Sequence, residues 1–181
     1  VMDPTPTPPT LGIISFPAGN ALDASDEDSA IHIQNWPVFG MFLPDGIASY
    51  EVDGRSYYLT ANEGDDRGET ARVKNLDLDP TIFPDAVILQ ADENLGRLNV
   101  SEINGDIDGD GDYDELWAYG SRSFTIWDQF GNLVFDSGDV FEQITAVETP
   151  DLFNTDNGDP ADFDTRSDNK GPEPESVVVG Q

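Results

Sequence analysis

The chain lacks cysteine and is almost without histidine. No cysteine occurs among its 181 residues, and His32 is its one histidine. Disulfides and thiolate metal sites are therefore excluded, and so is a zinc or iron centre built from several histidines of this chain. A metal bound by this sequence would be a hard cation held by oxygen atoms.

Positive charge is also scarce. The chain has 8 lysines and arginines against 37 aspartates and glutamates, for a formal net charge of -29. This balance argues against nucleic acid or an anionic membrane as a partner, because both bind through cationic surfaces. No apolar run approaches the roughly 18 residues that a membrane span needs. The composition instead favours cations as partners.

What the chain does contain is typical of an all-β fold. Residues 1–11 are rich in proline and threonine and indicate a linker or extended terminus, whereas residues 12–181 indicate a folded segment. Two hairpins are expected, one turning at Asp53-Gly54 and one at Gly131-Asn132. "ELWAYG" and "SFTIWD" predict a further strand pair, and "ESVVVG" predicts a last strand. Short helices are expected within 86–96 and 139–149, and long acidic loops at 20–30, 62–72 and 150–174.

The stretch "NGDIDGDGDYDELWAYG", residues 104–120, carries the clearest chemical signal. Aspartates at alternate positions of a tightly wound loop can converge on one ion, and Ca²⁺ accepts six to eight oxygen ligands. The spacing matches the first half of an EF-hand loop, but Trp117 stands where that loop needs a bidentate glutamate. The predicted calcium ligands are Asp106, Asp108, Asp110 and Asp114 through their carboxylates, and Asp112 through its backbone carbonyl. The alternative is a solvated acidic turn.

The loop resembles the D-x-D-x-D-G-x-x-D loop of calcium-binding β-propellers such as those of integrin α-subunits. Other stretches, among them "NALDASDEDSAIHIQNW", "LQADENLGRL" and "FDTRSDNKGPEPESVVVG", resemble the choice-of-anchor I domain over about residues 18–180. The resemblance implies a secreted, β-propeller-like domain of the alkaline-phosphatase-like or mesenchyme-specific cell-surface glycoprotein type. It implies an extracellular or cell-surface location and no settled reaction.

Domains of that kind are much longer than this chain. At roughly 40 to 50 residues per four-stranded blade, 181 residues hold four blades at most. We therefore expect a partial set of blades with long acidic loops. Another chain, or the rest of a longer polypeptide, would complete the propeller and cover its open sheet edges.

A second metal or substrate site is predicted from carboxylates at strand ends. Asn62, Glu63 and Asp65 follow one predicted strand, and Glu173 and Glu175 precede another. Such groups could hold a second ion and act on a phosphate ester. In the alternative interpretation, Glu63 and Glu173 cap turns or form ion pairs with neighbouring basic residues, namely Arg67, Arg72, Arg166 or Lys170.

Two functions are consistent with these patterns. The first is a secreted calcium-binding module with a binding or structural role at the cell surface or in the extracellular matrix. The second is a calcium-dependent phosphoesterase that uses the strand-end carboxylates. The scarcity of histidine and lysine favours the first, because phosphate chemistry usually needs cationic groups or several metals.

Overall fold

A computed structural model describes residues 13–15, 21–66 and 68–180. Nine strands in two sheets dominate the architecture, so the all-β prediction is confirmed. The predicted linker, residues 1–11, lies outside the described residues. The strands are β1 (Ile13–Ser15), β2 (Phe39–Met41), β3 (Gly46–Val52), β4 (Arg55–Ala61), β5 (Thr70–Arg72), β6 (Asn99–Ser101), β7 (Trp117–Tyr119), β8 (Phe124–Asp128) and β9 (Leu133–Asp136).

The first sheet has the strand order β1-β2-β7-β6-β5. Its strands are antiparallel except for β2 and β7, which run parallel and align Phe39 with Trp117. The two aromatic rings stack with their centroids 4.9 Å apart. The main core packs around this sheet, because its members come from β6, β7 and the long connections between strands. They are Leu22, Ala24, Val38, Val73, Leu78, Phe83, Leu95, Leu98, Val100, Leu116 and Ala118.

The second sheet is an antiparallel ribbon of order β3-β4-β8-β9. Both predicted hairpins belong to it and are confirmed. β3 and β4 pair from Gly46–Ala61 to Val52–Arg55, so Asp53 and Gly54 form the two-residue turn. Both turn residues have positive φ, 52° and 73°, as a type I′ turn requires.

The predicted pairing of "ELWAYG" with "SFTIWD" is wrong. β7 belongs to the first sheet and β8 to the second, because the chain crosses between the sheets at residues 120–123. Gly120 has φ 77° and Arg122 has φ 55° at this crossing. A Cβ on Gly64 would lie 2.1 Å from the Gly120 backbone, so two chain segments touch where only glycine fits.

The predicted final strand is also wrong. Residues 173–180 form no strand, although Glu175 and Ser176 pass close over the start of β3. A Cβ on Gly46 would lie 2.6 Å from the Glu175 carbonyl oxygen. The run "VVV" has high strand propensity because valine is β-branched, but no strand among the described residues pairs with it in this fold. Strand formation depends on such tertiary pairing as well as on propensity.

The helices are short. Helix α1 covers only Ala86–Leu89, with turns continuing to Gly96, and α2 covers Val140–Glu148 within its predicted range. Among the described residues, no helix has the length and apolarity to cross a bilayer. Nor do the two sheets close into a barrel or a ring of blades within 13–15, 21–66 and 68–180, so the propeller remains a prediction.

Candidate metal centre

The aspartate loop, residues 106–114, is wound by backbone amides that donate to its own carboxylates. Gly109 and Gly111 donate to the two oxygens of Asp106 at 2.7 and 3.2 Å, and Asp110 donates to Asp108 at 3.2 Å. The two glycines have φ of 80° and 104° with open space around them. Their conformation, rather than a steric contact, therefore requires glycine.

The base of the loop is closed by a second set of contacts. The Ile107 amide donates to Asp114 Oδ2 at 2.8 Å. The amides of Asp114 and Glu115 both donate to the Gly105 carbonyl, at 2.8 and 3.0 Å. A Cβ on Gly105 would lie 2.1 Å from the Glu115 carbonyl oxygen, so this close approach needs glycine. Asp106 and Asp114 are thereby held on the same side of the loop.

The loop brings carboxylate oxygens together in two groups that share Asp114. One oxygen each from Asp106, Asp108 and Asp114 lies within 4.8 Å of the others, and the same holds for Asp79, Asp112 and Asp114. Three of the predicted ligand carboxylates thus converge. Asp112 joins through its carboxylate, whereas the sequence had suggested its carbonyl.

Asp110 is the predicted ligand that belongs to neither group. Its carboxylate accepts a hydrogen bond from the Asp112 amide at 3.2 Å and is exposed. In this structure Asp110 therefore shapes the turn, and its own role as a ligand stays a prediction.

Sequence reasoning missed Asp79. This residue lies 27 positions before the loop and reaches it through a parallel bridge between Leu78 and Tyr113. The Tyr113 amide donates to Asp77, and the Asp79 amide donates to Tyr113, at 2.8 and 3.1 Å. No local spacing links Asp79 to the loop, so only the tertiary structure could have identified it.

The convergence is electrostatically unfavourable without a counter-charge. Burial, followed by the negative charges of Asp110 and Asp79, raises the pKa of Asp112 to about 6. Asp112 Oδ1 is buried and has no hydrogen-bond partner within residues 13–15, 21–66 and 68–180. A bound cation would offset the repulsion among these carboxylates, and an all-oxygen set of ligands suits a hard cation. The residues present therefore fit calcium.

A cleft of about 590 Å³ adjoins the loop. Asp108, Asp114 and Glu115 contribute carboxylates to it. The other seven lining residues are apolar, namely Trp36, Pro37, Val38, Phe39, Ile82, Phe83 and Ile107. The aspartate loop thus meets an apolar concave surface, and a cation in the loop would change the charge of that surface.

The predicted second site is occupied by ion pairs. Lys170 Nζ lies 2.5 Å from Glu63 and 3.3 Å from Asp65, and Arg166 contacts Glu173. The alternative interpretation, in which Glu63 and Glu173 pair with basic residues, matches this arrangement. A site for a second metal among these carboxylates stays a prediction.

The other two residues of that predicted site, Asn62 and Glu175, lie in different surroundings. Asn62 is fully buried, and its amide nitrogen donates to Ser123 and Thr125 at 3.2 and 2.8 Å. Glu175 is exposed. Asn62 therefore connects β4 to β8 inside the second sheet.

Sequence reasoning also missed a buried polar network that joins distant segments. Arg122 is 4% exposed, and its guanidinium donates to Glu142, itself 1% exposed, at 2.6 Å. It also donates to the carbonyls of Asp23, Ser167 and Asn169, at 2.7, 2.7 and 3.1 Å. The sequence carries no signal for this network, since its members lie up to 146 positions apart (23 to 169).

Three further aspartates adjoin that network, and we call Asp23, Asp28 and Asp164 the buried acidic cluster. Asp23 and Asp164 are 1% and 2% exposed, and the Asp28 side chain is 11% exposed. Burial raises the pKa of Asp164 to about 8 and that of Asp23 to about 6, with a contribution from Asp28 in both cases. The fold therefore places several carboxylates where charge is costly.

The fold and the site together define an all-β domain with an acidic loop suited to a hard cation. The chain belongs to the choice-of-anchor I domain family, whose model matches residues 9–181. The resemblance inferred from the sequence is thereby confirmed.

Two curated proteins are similar to this chain. Gigasin-3a of Magallana gigas is 38% identical over 96 residues, which cover 50% of this chain and 34% of that protein. The mesenchyme-specific cell surface glycoprotein of Strongylocentrotus purpuratus is 27% identical over 206 residues, which cover 90% of this chain and 26% of that protein. The chain thus spans about a third or less of these relatives. No solved structure matches it.

Proposed function

We propose that this chain is a calcium-stabilised extracellular domain with a binding or structural role at the cell surface. The observation that carries the calcium part is the convergence of Asp106, Asp108 and Asp114, with Asp79 and Asp112 beside them. The cell-surface part rests on the family and on the name of the sea-urchin relative.

Calcium is the ion that best suits this geometry. All the candidate ligands are carboxylate oxygens, most of them on a glycine-rich loop, and Ca²⁺ tolerates irregular coordination completed by water. Bound there, it would supply positive charge against closely spaced carboxylates. Asp106 and Asp114 would position the loop around it, since backbone amides already fix both side chains.

A structural or binding role fits the surroundings better than catalysis. The cleft that adjoins the loop is lined by no histidine and no lysine among the described residues, and most of its lining is apolar. The phosphoesterase alternative would need Glu63 and Glu173, and both of these carboxylates contact basic side chains. These contacts therefore support a binding or structural module over a phosphoesterase.

The second sheet supports the proposal that further chain completes a propeller-like assembly. β3 and β9 are its edges within the described residues. Leu133 and Phe135 on β9 are 52% and 47% exposed, which is high for apolar side chains of a sheet. We propose that the rest of a longer polypeptide, or another chain, packs here.

Calorimetric titration with calcium tests the central part of this function. The comparison uses the wild type and the variant Asp108→Ala with Asp110→Ala. Asp151→Ala with Asp156→Ala is the matched control, because it removes the same charge from exposed positions. We expect the control to bind calcium like the wild type and the loop variant to lose one site. Equal binding by all three proteins would overturn the proposal.

A further inference from the structure

The buried acidic cluster contains carboxylate oxygens that no described group satisfies. Asp164 Oδ1 accepts a hydrogen bond from Ser167 at 2.5 Å, whereas Asp164 Oδ2 is buried and has no hydrogen-bond partner among the described residues. Asp28 Oδ1 accepts from the Ala30 amide at 3.0 Å, and Asp28 Oδ2 is likewise buried without a hydrogen bond. Native proteins rarely leave buried polar atoms in this state.

Asn154, which is linked to Asp164 through Ser167, also has a side-chain oxygen without a described hydrogen-bond donor. Asn154 is 4% exposed, and its amide nitrogen donates to Ser167 Oγ at 2.8 Å. Ser167 in turn donates to Asp164, so the three side chains form one connected unit. Asn154 Oδ1 is buried, and no residue in the described part of the chain donates a hydrogen bond to it. The amide oxygen of Asn154 and one oxygen of each of the two carboxylates therefore accept no hydrogen bond from the described residues.

Arg122 cannot compensate the cluster. Its guanidinium is engaged by Glu142 and by three backbone carbonyls, one of which belongs to Asp23. The neighbouring arginines, Arg72 and Arg97, pair with Asp168 and Asp26. His32 Nδ1 lies 3.4 Å from Asp28 Oδ2, but its side chain is 60% exposed. The cluster therefore carries more buried negative charge than the described basic groups can balance.

Asp23 adds charge to this set and fixes its geometry. Its carboxylate accepts from the His32 amide at 2.6 Å and from the Ser25 amide at 3.4 Å. The Asp23 amide donates to Glu142 at 2.7 Å. The segment that carries Asp28 is thus tied to the buried network, and the negative charges of both Asp23 and Asp28 act on Asp164.

We propose that the buried acidic cluster holds a second hard cation, of the calcium class, bound by Asp164 Oδ2 and Asp28 Oδ2. Asn154 Oδ1, carbonyl oxygens or water would complete its coordination, as is usual for Ca²⁺. Such an ion would join the segment around residue 28 to the long acidic connection at 150–174. This site shares no residue with the aspartate loop and does not depend on calcium binding there.

Native mass spectrometry of chelator-stripped protein titrated with Ca²⁺ tests the proposal by counting ions. The test variant is Asp164→Asn, which keeps the shape of the side chain. Asp156→Asn is the control, because it makes the same change at an exposed position. We expect the control to bind as many ions as the wild type and Asp164→Asn to bind one fewer.

Asp28→Asn provides an independent variant should Asp164→Asn fail to fold by circular dichroism, and it should also lose one ion. The double variant Asp108→Ala with Asp110→Ala separates the two sites, since it should lose a different ion and keep the one in the cluster. If Asp164→Asn and Asp28→Asn bind as many ions as the wild type, the cluster is neutralised by a proton and the proposal is overturned, whatever the loop binds.

Discussion

The aspartate loop and the buried acidic cluster bring together the same residue type in opposite surroundings. Residues 106–111 are exposed, so water screens their charges and repulsion is moderate. Asp23 and Asp164 are almost fully buried, where an uncompensated charge costs far more. The first arrangement can exist without an ion as an acidic turn, whereas the second needs a proton or a cation.

The two regions also differ in how the sequence encodes them. The loop is a contiguous segment of nine residues, and its own glycines and aspartates determine its conformation. The cluster is assembled from segments around residues 23–28 and 164 and is held by Arg122 from the crossing between the sheets. A site formed by one contiguous segment can be recognised from the sequence. A site formed by distant segments exists only when the whole domain is folded.

The largest effect is expected from Arg122→Met. This change removes the charged partner of buried Glu142 and the guanidinium donor of three carbonyls, and removal of one partner of a buried pair costs about 3 to 5 kcal/mol. Urea unfolding measures the loss. Arg166→Met is the control, because its partly exposed pair with Glu173 should contribute below about 1 kcal/mol. Similar losses in the two variants would mean that the buried network is not what holds the segments together.

The next effect concerns pH and the cluster. Burial and the charges of Asp23 and Asp28 raise the pKa of Asp164 to about 8, far above its ordinary range. In chelator, the folded chain therefore keeps a proton that the unfolded chain loses, so stability is highest at low pH and falls as pH rises towards 8. Urea unfolding at several pH values should show this fall, and Asp164→Asn should flatten it. Parallel curves for the two proteins would contradict the assignment.

A smaller effect is expected from Asp79→Asn at the loop. Asp79 lies with Asp112 and Asp114, so its loss should weaken calcium binding by about 10-fold, the lower range for groups that support metal ligands. Calorimetry can compare it with Asp77→Asn. The Asp77 carboxylate is outside both oxygen groups, and its backbone carbonyl accepts a hydrogen bond from the Tyr113 amide of the loop. Equal affinities of the two variants would remove Asp79 from the site.

The smallest effect is expected at the strand-end carboxylates. Glu63→Gln with Glu173→Gln should leave the number of bound calcium ions unchanged, because Lys170 and Arg166 already contact these groups. The same native mass spectrometry can count the ions. Loss of an ion in this variant would restore the second metal site predicted from the sequence, and with it the phosphoesterase alternative.

The loop and the cluster also differ in how well they could be predicted from the sequence, and the same is true of the strands. The hairpin at Asp53-Gly54 was predictable because a two-residue turn fixes its own register. The separation of β7 and β8 into different sheets was not predictable. In sequence, the four-residue crossing between them resembles a hairpin loop, and only the structure shows that Arg122 in this crossing is buried. The aspartate spacing indicated Asp106, Asp108 and Asp114, whereas Asp79 and the buried acidic cluster depend on contacts between distant segments.

The most direct test of the account is thermal unfolding of the wild type in calcium and in excess chelator, beside Asp108→Ala with Asp110→Ala. If calcium compensates the converging carboxylates of the loop, chelation lowers the melting temperature of the wild type more than that of the variant. The variant should keep only the response that the buried acidic cluster provides. An equal response of the two proteins, or none in either, would contradict the claim that the aspartate loop is a calcium site.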